Sequence, residues 1–210
     1  MRLAATVGTD VFLSHSKSGF FSNPPGWGRV YADLGTEQLS AESWQKAVRA
    51  GRTFATNGPW LELSVDELGP GSVLDAPGEM TVRARAHVEG PGVETLSLVG
   101  PEGDLAMGTG PDVEVELVVT EPGWVAAVAR GPRHDDVLGP TVFAHTSPVY
   151  IDVEGHRVGR RDSARWCLDW LERVEHLAAD HGNFADESQF EDLVAVLNQA
   201  RTFYRGISEG

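Results

Sequence analysis

From Trp60 to Val153 the apolar residues fall on every second position in short runs, each closed by glycine or proline, and no other feature constrains the fold as tightly. The series opens with Trp60, Leu61, Leu63 and Val65. It continues at Met80 to Val88, Val93 to Val99, Val113 to Val119, Trp124 to Ala129, Thr141 to Ala144 and Val149 to Val153. Successive side chains of a strand point to opposite faces, so a period of two marks strands with one face on a core and the other on solvent. Between the runs stand turn residues such as Gly69 to Gly71, Gly90 to Gly92 and Pro101 to Gly103. Strands this short and this regularly interrupted predict an antiparallel β-sandwich over residues 59–158.

On both flanks the period differs. After Asp162 it becomes helical: Cys167, Leu168, Leu171, Val174, Leu177 and Ala178 form one apolar face that ends at Gly182. Asp186, with Gln189 three residues later, resembles a capping box opening a second helix through Phe190, Leu193, Leu197 and Tyr204. Residues 159–210 are therefore expected to form an antiparallel helical hairpin. Ahead of the sandwich, Leu3 to Val7 reads as a buried strand and Arg29 to Leu34 as another. Ser40 caps a helix of about three turns over Ala41 to Ala50, with Gly51 as the left-handed residue that ends it. The whole is mostly β with α, and Asn57-Gly58-Pro59 is the expected corner between a front part, residues 1–58, and the sandwich.

Composition excludes several functions. With 31 acidic against 17 basic residues the formal charge is −14, a field that repels phosphate backbones and anionic membranes, so nucleic acid is a poor partner. No segment approaches the roughly 20 apolar residues of a membrane helix, and no signal-peptide pattern follows Met1. A soluble chain is expected. The single cysteine, Cys167, rules out an intramolecular disulfide and a cysteine-rich zinc site, and reads as a small buried apolar residue.

Few residues carry chemistry. Asp10 leaves the end of the Leu3 to Val7 run, where barrel enzymes place metal ligands and bases; the plainer reading is that it caps the next loop and that His15 faces solvent. His134-Asp135-Asp136 is a turn that reads as solvated before it reads as a cation site. His176 and Asp180 share a helical face beside Glu175 and His181, a spacing suited to an ion pair ahead of a surface metal. Trp60 and Trp124 lie in strand patterns, where packing is the ordinary role and lining of a sugar groove the functional one. No nucleophile elbow, zinc-protease motif, phosphate loop or dinucleotide fingerprint occurs.

Several stretches resemble a known family. Gly8-Thr9-Asp10-Val11-Phe12, Gly26-Trp27-Gly28-Arg29-Val30-Tyr31, Arg49-Ala50-Gly51-Arg52-Thr53-Phe54 and above all Ala55-Thr56-Asn57-Gly58-Pro59 are similar to the C-terminal section of CehA/McbA-type metallohydrolases, relatives of the PHP phosphoesterase-like barrels. The similarity continues more loosely through His145-Thr146-Ser147-Pro148-Val149-Tyr150 into the helical tail. It implies that residues 1–58 are the end of a metallohydrolase barrel with its linking helix. It also implies that Asp10 is catalytic and metal-holding, with His15 a second candidate ligand, and that the parent enzymes use divalent metals to activate water. Related barrels often carry Gly-Ser/Thr-Asp-x-His here, whereas Phe12 stands at that histidine's place, and phenylalanine cannot ligate. One aspartate with His15 falls short of the three or four protein ligands of a catalytic zinc.

The reading is thus the C-terminal part of a CehA/McbA-like metal-dependent hydrolase, inactive alone and binding no metal tightly. Its partner would be the upstream barrel, in the same or a separate chain, or a second copy. Met1 would be an internal or misassigned start. The alternative is a self-sufficient β-sandwich module binding a ligand or carbohydrate.

Overall fold

In the computed structural model, which describes residues 3–8 and 26–209, the chain divides into two units, Met1–Val158 and Gly159–Gly210. The first unit is built from two sheets and one helix. Its strands are β1 (Arg29–Ala32), β2 (Thr53–Thr56), β3 (Trp60–Val65), β4 (Val73–Ala76), β5 (Met80–Glu89), β6 (Thr95–Gly100), β7 (Gly103–Gly108), β8 (Asp112–Val119), β9 (Gly123–Gly131), β10 (Val142–Thr146) and β11 (Val149–Val153), with helix α1 at Ala41–Arg49. Strands β3, β5 and β8 form an antiparallel sheet. The other eight make a larger curled sheet in the order β1-β2-β10-β9-β11-β4, with β6 on the free side of β9 and β7 beyond it.

The alternation read from the sequence is what buries the core. Leu61, Leu63 and Val65 point inward from β3, and Val82, Ala84, Ala86 and Val88 from β5, against Leu96, Leu98, Val125, Ala127 and Ile151 of the larger sheet. Outward positions of β5 and β8 carry a charge ladder instead: Arg85 meets Glu114 at 2.8 Å and Arg83 meets Glu116 at 2.8 Å across the pair. One pairing departs from the antiparallel expectation, since β11 and β4 run parallel, from Tyr150 opposite Val73 to Val153 opposite Ala76.

Strand β9 organises the large sheet. One of its edges is shared by β10 and β11, which are two pieces of one strand line broken at Ser147-Pro148, with the register shifting by one residue across the break. The register shift interrupts the backbone ladder opposite Ala127, and Thr146 Oγ1 accepts from Ala127 N there at 2.9 Å.

The front of the chain is wired into this sheet. Strand β2 lies between β1 and β10, and all four of its residues are buried. The corner expected at Asn57 to Pro59 is present, yet strands from before and after it share the larger sheet. Helix α1 begins as read: Ser40 Oγ accepts from Ser43 N at 3.0 Å, and Ser43 Oγ accepts from Ser40 N at 2.9 Å. It ends at Gly51, whose φ of 74° is the left-handed conformation.

Leu3 to Val7 corrects the expectation of a buried strand. Residues 3–8 have no regular secondary structure, and Leu3 is 62% exposed. Both edges of β2 are already taken, so the segment is held by side-chain hydroxyls: Leu3 N donates to the Tyr150 hydroxyl at 2.9 Å and Ala5 N to Ser147 Oγ at 2.8 Å.

The second unit is the expected hairpin of α2 (Arg161–His181) and α3 (Glu187–Glu209). Asp186 caps α3 by accepting from Gln189 N at 3.2 Å. Between the helices Leu197 is buried, and Arg201 pairs with Glu175. Cys167 is half-buried beside the Tyr204 hydroxyl, and that contact raises the phenol's pKa. Among the described residues no helix is long and apolar enough to cross a membrane.

Candidate functional site

The Ala55 to Pro59 motif is a corner built on two side chains. Thr56 Oγ1 donates to Pro59 O at 2.7 Å and accepts from Gly58 N at 2.9 Å, which closes the turn on itself. Asn57 prolongs the β2–β10 pairing by one step: its backbone N–H donates to Phe143 O at 3.1 Å, its side-chain oxygen accepts from Phe143 N at 2.9 Å, and its Nδ2 donates to Thr141 O at 2.6 Å. Threonine and asparagine are needed here because each offers a donor and an acceptor on a short side chain.

Against this corner lies a cleft of about 540 Å³. Residues 4–7, Trp27, Gly28, Asn57, Phe143 and His145 are among its lining. Gly28 packs closely on residue 7, since a Cβ there would stand 2.9 Å from Val7 Cγ2 and one of the two would have to shift. Among the described residues, His145 is the one titratable side chain of the lining. Burial lowers its pKa and the nearby Arg130 charge lowers it further, so the ring is held neutral at physiological pH. Phe143 lies between the two: Arg130 sits over its ring at 5.3 Å, and the His145 ring is 6.4 Å away, nearly parallel.

Of the residues singled out for chemistry, Asp10 and His15 lie outside the described residues. The His134 turn is self-satisfied, with Asp136 N donating to His134 Nδ1 at 3.2 Å. On α2 the ion pair joins Glu175 to Arg201 of α3, and His176 and Asp180 stay exposed. Trp124 is half-buried opposite Tyr150, while Trp60 is 45% exposed. His145 was legible only as part of a motif, because its neighbours Asn57 and Trp27 come from distant parts of the chain.

Among the described residues no three His, Cys, Asp or Glu side chains come together as a metal-holding group. The cleft itself offers one neutral imidazole and an asparagine whose amide is spent on backbone. That donor set does not fit a resident divalent metal.

No family model matches this sequence, and no curated protein matches it. A solved structure, the sulfur carrier protein SoxY from Chlorobium limicola f thiosulfatophilum, is similar over 43% of this chain and 77% of its own, at 12% identity and a TM-score of 0.31. A likeness that slight carries no argument about fold or function.

Proposed function

We propose that this chain is the C-terminal part of a metal-dependent hydrolase of the CehA/McbA type, and that the cleft between residues 4–7 and the Asn57 corner faces the catalytic part. One observation supports this reading. The stretches that resemble the family are scattered from Gly8 to His145, yet Trp27-Gly28, Ala55 to Asn57 and His145 line the same cleft, beside the segment that leads to Asp10. Sheet pairing sets Ala55 opposite His145, and Trp27-Gly28 joins them from the chain just before β1.

In the parent chemistry the metal ions, held by histidines and carboxylates of the barrel, activate the attacking water. The described residues do not supply that set, and their part is positional. The hydroxyls of Thr53 and Ser147 anchor Ala5, Asn57 fixes the β2–β10 corner, and His145, kept neutral, presents a ring nitrogen without adding positive charge. The chain alone is then expected to hydrolyse neither phosphoesters nor carboxylic esters when zinc or manganese is added.

The test is the coding DNA ahead of Met1. An in-frame or adjacent reading frame with His-x-His pairs, whose joint expression with this chain gives chelator-sensitive hydrolysis lost in Asp10→Ala, supports the reading. Chelator-sensitive turnover by this chain alone, or no such reading frame, overturns it.

A further inference from the structure

A second cleft, of about 570 Å³, is lined by residues of β1, β2 and β3, with β1 and β3 the end strands of their sheets among the described residues. Its apolar wall is an aromatic cluster. Tyr31 and Phe54 stack at 5.0 Å within 7° of parallel, and Trp60 meets both edge-on at 5.2 and 4.9 Å. Phe54 belongs to the core, but Tyr31 and Trp60 remain 38% and 45% exposed. Arg52 lines the same cleft, and its Nε and Nη2 are buried with no hydrogen-bond partner among the described residues. Two buried donor nitrogens of a permanent cation left unmet are exceptional in a folded protein and call for an acceptor.

The nearby carboxylates do not meet that need. Asp33 accepts from Gly35 N at 2.7 Å, Glu62 accepts from the Trp60 indole at 2.9 Å, and Glu37 is paired with Lys46 at 2.7 Å. Their charges nevertheless shape what can enter. Asp33 and Glu62 repel any anion, a dianion about twice as strongly as a monoanion, so a single carboxylate on the guanidinium fork is favoured over a phosphate or sulfate dianion. The aromatic rings touch one another and leave no cage for a cation between them, but their exposed faces accept a flat ring.

We propose that this cleft binds a ring bearing one carboxylate, with the carboxylate on Arg52 and the ring face on Tyr31 and Trp60. The site is additional to the hydrolase reading and independent of it, since it uses neither the Asn57 corner nor His145. The arginine side chain rotates about its terminal bonds to bring the unmet N–H groups into the cleft, and charge-assisted pairing drives that rotation. A uronic acid and an aromatic acid share this chemistry.

The experiment titrates the full chain with glucuronate and with benzoate, each against its neutral counterpart, methyl glucoside or benzamide. Binding is followed by tryptophan fluorescence and by the NMR resonances of Arg52 Nε–H and Trp60 Nε1–H. At least one carboxylate is expected to bind saturably and at least about tenfold more tightly than its neutral counterpart, shifting both resonances, and Arg52→Gln is expected to remove that preference. Success with glucuronate alone assigns a sugar acid, and with benzoate alone an aromatic acid. Unshifted Arg52 and Trp60 resonances at about 10 mM of both carboxylates, or equal binding of the neutral compounds, overturns the proposal. The resonances are read on the unaltered chain, so the result stands even where Arg52→Gln fails to fold.

Discussion

The hydroxyls of Thr53 and Ser147 lie 2.8 Å apart, and between them they fix both polar groups of a third residue, Ala5. Ala5 N donates to Ser147 Oγ and Thr53 Oγ1 donates to Ala5 O, each at 2.8 Å, so the remaining proton, on Ser147, must go to Thr53. The three bonds form a closed circuit in which each donor is used once. Thr53 and Ser147 are both buried, so breaking the circuit strands polar atoms away from water.

Ser147→Ala and Thr53→Val are each expected to destabilise the first unit by about 1–3 kcal/mol. Removing both hydroxyls is expected to cost less than the sum, because the second substitution removes a group the first left unpaired. Urea melts of the four proteins give the energies, and hydrogen exchange at Ala5 N reports release of residues 3–8. Strictly additive losses with unchanged protection at Ala5 would show that the circuit does not hold the segment.

The turn after β3 points to a stabilising change. Asp66 and Glu67 have φ of 44° and 67°, and Val65 and Leu68 exchange both backbone hydrogen bonds around them, so this is a two-residue turn of the mirror-image type. Asp66 is useful there, since its carboxylate accepts from Arg83 N at 2.8 Å. Glu67 makes no comparable bond and bears the left-handed strain, about 1–2 kcal/mol for a residue with a Cβ. Glu67→Gly is expected to raise the melting temperature by a few degrees, and a fall would show that the turn is not strained as described.

How much of this was legible beforehand differed by element. The strands of the sandwich were, because one buried face and one solvated face leave a period of two, and Ser40, Gly51 and Asp186 marked helix ends through their own side chains or φ. Strand β2 was not recognised: Thr53 to Thr56 is buried throughout and shows no alternation. Nor was β7, whose Gly103 and Gly108 look like turn residues, or the short β4, paired in parallel with a strand far along the chain. The gathering of Trp27, Asn57 and His145 around one cleft depends on which strands are neighbours, and local patterns do not encode that.

Two histidines oppose each other in the pH dependence of stability. Asp112 at 2.8 Å and Glu89 at 3.4 Å from its ring raise the His87 pKa, so its contribution is full below the unfolded value of about 6.5 and is lost as pH rises through the higher folded value. Burial lowers the His145 pKa, so its contribution is full above about 6.5 and is lost as pH falls toward the lower folded value. The His87 side chain is 35% exposed and Asp112 is 74% exposed, so the effect is small and weakens with salt. Asp112→Asn should flatten the alkaline side of the stability curve between pH 5 and 8, and His145→Gln the acid side, as read by urea midpoints at low salt. Identical curves for all three proteins would exclude both assignments.

The last expectation concerns which pieces fold alone. The sequence suggested that residues from about Trp60 onward form an independent sandwich, and the sheet argues otherwise. Strand β10 pairs with β2 through Ala144 to Thr146, and β2 brings buried Phe54 to the core and buried Thr53 to the circuit with Ser147. Deleting residues 1–58 leaves β10 as a bare edge, opens the core beside Leu61 and Leu63, and strands the Ser147 hydroxyl. That truncation is expected to lose cooperative unfolding and to self-associate through the freed edge. Deleting 159–210 removes a separate compact unit and none of the eleven strands, so residues 1–158 are expected to keep a cooperative melt and a dispersed amide spectrum. Circular dichroism melts with sedimentation of both truncations decide the matter. A cooperative, monomeric 59–210 would return the front segment to the status of an appendage, and an unfolded 1–158 would show that the helical hairpin is needed by the sheets.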